Sequence, residues 1–170
     1  MYSDIIVEVE DIKIKIGGNI LFLMEKYKQY DSFSKEGGGI LIGKENLSNA
    51  NIIIDNLTEP YSEDIRKRRK FIRMDLTHIH VFKKLYELSN RTYRYIGEWH
   101  SHPEYVPEFS EIDFKNWIDI CKKGNNLLNS YYHMIVGIKA IGIWYIDSSN
   151  YRVKLLKKIY WEDMNIIEEK

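Results

Sequence analysis

The stretch Tyr93-Arg94-Tyr95-Ile96-Gly97-Glu98-Trp99-His100-Ser101-His102-Pro103 reads as a strand that runs directly into a pair of histidines. Strand side chains alternate with period two, so His100 and His102 point to the same face and can share one metal ion. On a helix the same spacing would turn the two rings to different sides. A strand that carries chemistry at its end needs a sheet around it, and the flanking sequence supplies one. Upstream, Gly38–Gly43 is a short buried strand with Ile52–Ile54 as its neighbour, and Ile5–Ile16 alternates in places as a strand should. Downstream, Tyr131–Ile138, Ile141–Ile146 and Tyr151–Ile159 read as closing antiparallel strands. Helical spacing predicts helices over Gly18–Tyr30, over Met74–Leu88 and from about Ser110, where Phe114, Trp117, Ile118 and Cys121 share a face. A loop falls around Pro60, and Glu162–Lys170 is a short helix or a frayed end. The expected fold class is α/β (an α+β mixed sheet), with a central mixed sheet flanked by helices in one domain over residues 1–170.

Composition agrees with this and narrows the function. A chain of 170 residues, 44% hydrophobic and 14% aromatic, can bury a substantial core. Its 25 Lys+Arg balance 25 Asp+Glu, which argues against nucleic acid as the general partner. No segment is apolar enough to span a membrane, and the acidic start MYSDIIVEVEDIK is unlike a signal peptide, so no membrane partner and a cytoplasmic location are expected. One cysteine, Cys121, excludes an intrachain disulfide and any zinc site that needs two thiolates. Nothing in the sequence fixes the oligomeric state.

With thiolates excluded, a His/His/acid set is the remaining route to a metal. Asp113 stands at the fourth position of Ser110-Glu111-Ile112-Asp113, separated from His102 by the loop 103–109. In the first turn of a helix, its carboxylate can face back toward the strand end. Two imidazoles, one carboxylate and an open fourth position match catalytic rather than structural zinc. Such a metal lowers the pKa of bound water to about 7, and hydrolysis then needs a nearby proton acceptor that is not itself a ligand. Glu36, at the mouth of the Gly37-Gly38-Gly39 segment, is the candidate.

The whole constellation, Glu36 before a glycine-rich strand, then His100-Ser101-His102-Pro103, then Ser110 and Asp113, resembles the JAMM (MPN-plus) metalloprotease motif. The context Tyr95-Ile96-Gly97-Glu98-Trp99 resembles the bacterial Prok-JAB branch, and within it the stand-alone deconjugating peptidases of CBASS anti-phage operons. The resemblance implies a cytidine-deaminase-like architecture, with His100, His102 and Asp113 holding Zn2+. It implies that Glu36 moves the proton from the water to the leaving amine, and that Ser110 hydrogen-bonds the substrate carbonyl or its oxyanion. The implied substrate is a conjugated protein, cleaved after the C-terminal tail of a ubiquitin-like modifier or of a CD-NTase (a cGAS/DncV-like nucleotidyltransferase). One departure stands out: many relatives have Pro before the serine, where this chain has Phe109, with Pro107 nearby.

Rival readings remain at this stage. A JAB peptidase that trims ubiquitin-like or sulfur-carrier precursors would use the same site. A non-catalytic MPN binding scaffold typically lacks the ligands that this chain retains. Nucleobase deamination, mimicked by His102-Pro103-Glu104, also needs P-C-x-x-C, which one cysteine cannot provide. Ser110-x-x-Asp113 is equally a helix-capping signature, and Glu36 reads equally as an exposed carboxylate beside a turn. His78 and His80 repeat the H-x-H pattern inside a predicted helix and are assigned to surface or packing. His133 and Cys121 are assigned to the core. The basic run Arg66-Lys67-Arg68-Arg69-Lys70 reads as a solvated loop placed to dock an acidic protein surface.

Overall fold

A computed structural model describes residues 1–9, 11–124 and 129–166. Its framework is an eight-stranded mixed sheet. In chain order the elements are β1 (Ile5–Val9), β2 (Ile12–Ile16), α1 (Gly18–Glu25), β3 (Gly38–Glu45), β4 (Ile52–Leu57), β5 (Ile65–Lys67), β6 (Lys70–Ile72), α2 (Thr77–Leu88), β7 (Arg94–Ser101), α3 (Glu111–Lys123), β8 (Ser130–Val136), β9 (Ala140–Asp147) and β10 (Val153–Tyr160), followed by a short 3-10 turn at Trp161–Asp163. The sheet order is β1-β2-β4-β3-β7-β8-β9-β10, with β5 and β6 forming a separate hairpin. Only β2–β4 and β7–β8 pair in parallel; the other neighbours are antiparallel.

Both faces of the sheet are covered. Against one face, α1 contributes Ile20, Leu21 and Met24 to a core with Leu41, Ile54, Ile96, Trp99, Met134 and Ile143. On the other, Trp117 and Cys121 of α3 pack with Tyr131, Ile135, Trp144 and Ile146. Cys121 is therefore the small core residue that the sequence predicts. Phe109 lies 5.4 Å from the Trp117 ring and 6.2 Å from that of Trp144, so an aromatic contact anchors the loop just before Ser110.

Several expectations are corrected. The single strand expected over residues 5–16 is a hairpin with Ile5 opposite Ile16, because Glu10 and Asp11 are poor strand formers. Helix α1 ends at Glu25 rather than at Tyr30. Beyond it, Tyr27 donates its hydroxyl to Glu59 (2.9 Å) and the Gln29 amide turns to the carbonyls of Ser34 and Arg68, which the helical path does not permit. The basic run is not a free loop: it forms β5, β6 and the turn between them. The last four positions of the predicted terminal element, 167–170, lie outside the described residues, as do 125–128.

His78 is a packing residue, as expected, although with an acidic partner upstream rather than downstream. Its ring is fully buried between Asp64 (Nε2 to Oδ2, 2.7 Å) and Thr58 (Nδ1 to Oγ1, 2.5 Å), while His80 is exposed. Thr58 Oγ1 also accepts the Ile40 N–H (2.8 Å), and Asp64 Oδ1 accepts the amides of Met74 and Asp75. This buried chain ties the central strand β3 to both ends of the β5–β6 hairpin. Replacing Thr58 by the isosteric valine strands the Ile40 amide and a His78 nitrogen, each costing about 1–3 kcal/mol when buried. Thr58→Val is expected to lose about 2–4 kcal/mol in urea unfolding.

Candidate metal centre

The pairing of β3 with β7 sets Gly38 opposite His100 and Gly39 opposite Trp99. Further along, Leu41 pairs with Gly97 and Ile42 with Tyr95, so Ile96 is the extra residue of a β-bulge. The bulge lets Ile96 and Trp99 both enter the α1-side core, while Glu98 and His100 turn toward α3. His102 continues the extended path one residue past the strand, its N–H bonded to the Val136 carbonyl at 2.9 Å. A Cβ on Gly39 would lie 2.0 Å from the Thr58 carbonyl oxygen, so only glycine admits the close approach next to the site.

Asp113 arrives from α3. Ser110 is the N-cap: its Oγ accepts the Asp113 N–H (3.2 Å), and Asp113 Oδ2 accepts the Ser110 N–H (2.6 Å) and hydroxyl (2.7 Å). Capping therefore uses Oδ2 and leaves Oδ1 directed at His100 Nε2, 3.1 Å away. The capping reading of Ser110-x-x-Asp113 is observed, and it leaves Asp113 Oδ1 free to face the histidines.

The donor atoms converge as a metal site requires. His100 Nε2 and His102 Nε2 are 2.9 Å apart, and His100 Nε2 lies 3.1 Å from Asp113 Oδ1. In a tetrahedral zinc site with bonds of about 2.0–2.1 Å, neighbouring donors are about 3.3 Å apart. Both distances are close to that value, and His102 Nε2 is 3.5 Å from Oδ2, the oxygen that also makes the cap. Among the described residues, these three form the one cluster able to hold a metal ion. Burial lowers and Asp113 raises the affinity of His100 for a proton, with a net rise. For Asp113 burial acts upward, but the His100 contacts and the Ser110 hydrogen bonds outweigh it and hold the carboxylate far below its usual range. His102 is lowered by burial and by His100.

Glu36 is buried, 5% exposed, rather than an exposed turn residue, and lines the same cavity of about 520 Å³ as His100, His102, Ser110 and Asp113. Burial is the main force pushing its carboxyl up to about 7; Asp113 adds to the rise and His100 opposes it. His133 is absent from the ligand set. Its ring stacks on Trp117 (4.4 Å, 7°), Nδ1 accepts the Glu98 N–H (3.3 Å), and burial followed by His100 pushes it down to about 3.

Two groups in the cavity escape sequence reading. Arg73, just after β6, makes a two-pronged contact with Glu98 Oε1 (3.0 and 2.8 Å), to which the Tyr95 hydroxyl also donates (3.0 Å). Ile72 of β6 and Ile112 of α3 also line the cavity. The sequence contains a glutamate next to the histidines, but nothing in it assigns an arginine 25 residues earlier to that glutamate.

Comparison with known proteins places this geometry. Residues 26–149 match the Prok-JAB family, prokaryotic homologs of the JAB domain. A CD-NTase/cGAS isopeptidase from Escherichia coli (strain TW11681) is 32% identical over 148 residues, 87% of this chain and 90% of the relative. Proteins of the same name from Pseudomonas aeruginosa (strain BWHPSA011 / Pa011; 33% over 129 residues, 74% and 80%) and Vibrio cholerae serotype O1 (32% over 107 residues, 63% and 67%) also match. A solution structure of a protein from Desulfitobacterium hafniense shares the fold, with TM-score 0.58, 16% identity, and 89% and 97% of the two chains covered.

The division of labour within Asp113 is open to test. Asp113→Asn keeps an oxygen for the Ser110 cap but loses the charge offered to the metal. Zinc affinity measured by competition with a chelator is expected to fall at least about tenfold, as for other losses of ligand charge. The melting temperature of the metal-free chain should shift by no more than about 4 °C, equivalent to about 1 kcal/mol.

Proposed function

The chain belongs to the Prok-JAB family, and on that premise we propose that it is a zinc-dependent isopeptidase of anti-phage defence. Its substrate in this reading is a protein conjugated through the C-terminal tail of a CD-NTase or of a ubiquitin-like modifier. One observation supports the reading: His100, His102 and the Asp113 carboxylate converge on a cavity that also holds the buried carboxylate of Glu36. A binding scaffold has no use for a buried carboxylate beside an open metal position. Precursor trimming would use the same groups and differ only in substrate.

Bound at these donors, zinc would supply an acidified water and a Lewis acid for the scissile carbonyl. The chain's own residues do the rest. Glu36 accepts a proton from the attacking water and returns it to the departing amine as the C–N bond breaks. Ser110 turns its hydroxyl from Asp113 Oδ2 toward the carbonyl oxygen, where negative charge develops during attack. The tail lies in the cavity between Ile72 of β6 and Ile112 of α3, which exclude water from the reacting bond. No helix among the described residues is long and apolar enough to cross a membrane.

Cleavage of a purified tail fusion, with zinc quantified in the same preparations, tests this assignment. Glu36→Ala is expected to retain about one zinc per chain and to lose about 10²–10⁴-fold in kcat, the usual contribution of a positioned acid–base group. His102→Ala should lose metal and activity together. Normal turnover by Glu36→Ala would sink the mechanism.

The basic run divides in the structure. Arg66 and Arg68 donate inward to main-chain carbonyls, whereas Lys67, Arg69 and Lys70 are exposed, the last two lining the cavity. Docking of an acidic protein surface away from the cavity therefore falls to Lys67. Lys67→Ala should raise KM for a whole conjugate, more so at low salt, and leave KM for a short tail peptide unchanged. An equal loss on both substrates rules out docking there.

A further inference from the structure

We propose that Arg66 is a positioning residue for the proton carrier Glu36, and that the β5–β6 hairpin is the brace through which it acts. The inference rests on the acid–base role of Glu36 stated above. It starts from how little holds the Glu36 side chain itself. Its carboxylate accepts no hydrogen bond from the described residues, so its location depends on where the main chain puts its Cα. That main chain precedes β3 and lies in no regular element of its own. The hairpin holds both of its polar groups: the Glu36 N–H donates to the Lys67 carbonyl (2.9 Å), and its carbonyl accepts from Arg66 Nε (2.7 Å). The same guanidinium donates from Nη2 to the Lys35 carbonyl (3.3 Å).

The next residue is held from the other side. Gly37 donates its N–H to Ser101 Oγ (2.9 Å), and its carbonyl accepts the Ser101 N–H (2.8 Å). Ser101 sits between His100 and His102, so Gly37 is registered directly on the strand that carries the metal ligands. Glu36 is then the junction between a fixed strand and the hairpin, and Arg66 closes that junction.

Arg66 is itself fixed in place. Its guanidinium lies 5.5 Å from the centre of the Tyr27 ring. That ring occupies the space beside Gly37, where a Cβ would come within 2.3 Å of it, and the Tyr27 hydroxyl is bonded to Glu59. A planar fork can stack on the ring and reach two successive carbonyls at once. A lysine ammonium in the same place keeps the charge but not the fork. The sequence shows only a run of cations here; the structure separates one that braces Glu36 from those that face solvent.

The test is steady-state cleavage of a tail fusion by Arg66→Ala and Arg66→Lys, with zinc content measured alongside. Arg66→Ala is expected to lower kcat about ten- to hundredfold, the scale of a misplaced catalytic group, with about one zinc per chain retained. KM should stay within about twofold, since no substrate contact is removed. Arg66→Lys should recover part of the loss only. In a Glu36→Gln background, adding Arg66→Ala should change the residual rate little, because the group it positions is already gone. A wild-type kcat in Arg66→Ala would overturn the proposal, as would a raised KM with kcat intact or full recovery by lysine, both of which mark a docking cation. If Arg66→Ala fails to fold, Arg66→Lys decides alone: an intermediate kcat supports the brace and a wild-type kcat overturns it. Activity in Glu36→Ala is a different failure, because it removes the acid–base reading itself.

Discussion

The antiparallel pairing of β3 with β7 is the constraint on which the site depends. Gly38 opposite His100 puts the two residues before β3 beside the end of β7, and so brings a glutamate from position 36 to histidines at 100 and 102. Ser101 extends that pairing past the regular ladder by holding both polar groups of the Gly37 main chain. A one-residue slip in this register would reverse the facing of every side chain on the strand. The bulge at Ile96 is the local adjustment that satisfies a core on one side and the cavity face on the other.

Helix α3 depends on the same frame through Phe109 and Trp117. Stacking of Trp117 on His133, with tilted and edge-on contacts of Phe109 to Trp117 and Trp144, seats the start of the helix over the sheet. The capping box then orients Asp113, so the contact that begins the helix also aims a carboxylate oxygen at His100. An exposed capping box supplies helix stability alone. Here the Asp113 carboxylate is buried beside two imidazoles and lines the cavity.

Much of this was legible in the sequence because it rests on local periodicity. The i,i+2 histidines on a strand, the capping pattern at Ser110 and the buried strand after Gly38 each follow from residues that are neighbours in the chain. What escaped depends on partners far apart. The Arg73–Glu98 pair joins residues 25 apart, the Thr58–His78–Asp64 chain needs three separate elements, and the bulge at Ile96 leaves no mark in an otherwise regular strand pattern. The basic run misled for a related reason. Five consecutive cations suggest a solvated surface, yet main-chain carbonyls of the 31–36 segment accept from two of them, Arg66 and Arg68.

The distribution of charge gives an argument for the metal that does not rely on family. Buried ions need compensation, and one left alone either shifts its proton equilibrium or binds a counter-ion. Glu98 has Arg73 and the Tyr95 hydroxyl. Asp113 has Ser110 and His100. The Glu36 carboxylate accepts no hydrogen bond from the described residues, and burial pushes it up to about 7. A dication at the His100–His102–Asp113 donors would draw both imidazoles into their neutral ligating form and favour the charged state of Glu36 across the cavity. The same set of groups that leaves one carboxylate without a hydrogen bond would be balanced by a metal, and balanced in the protonation state that the proposed base must have before it can take a proton.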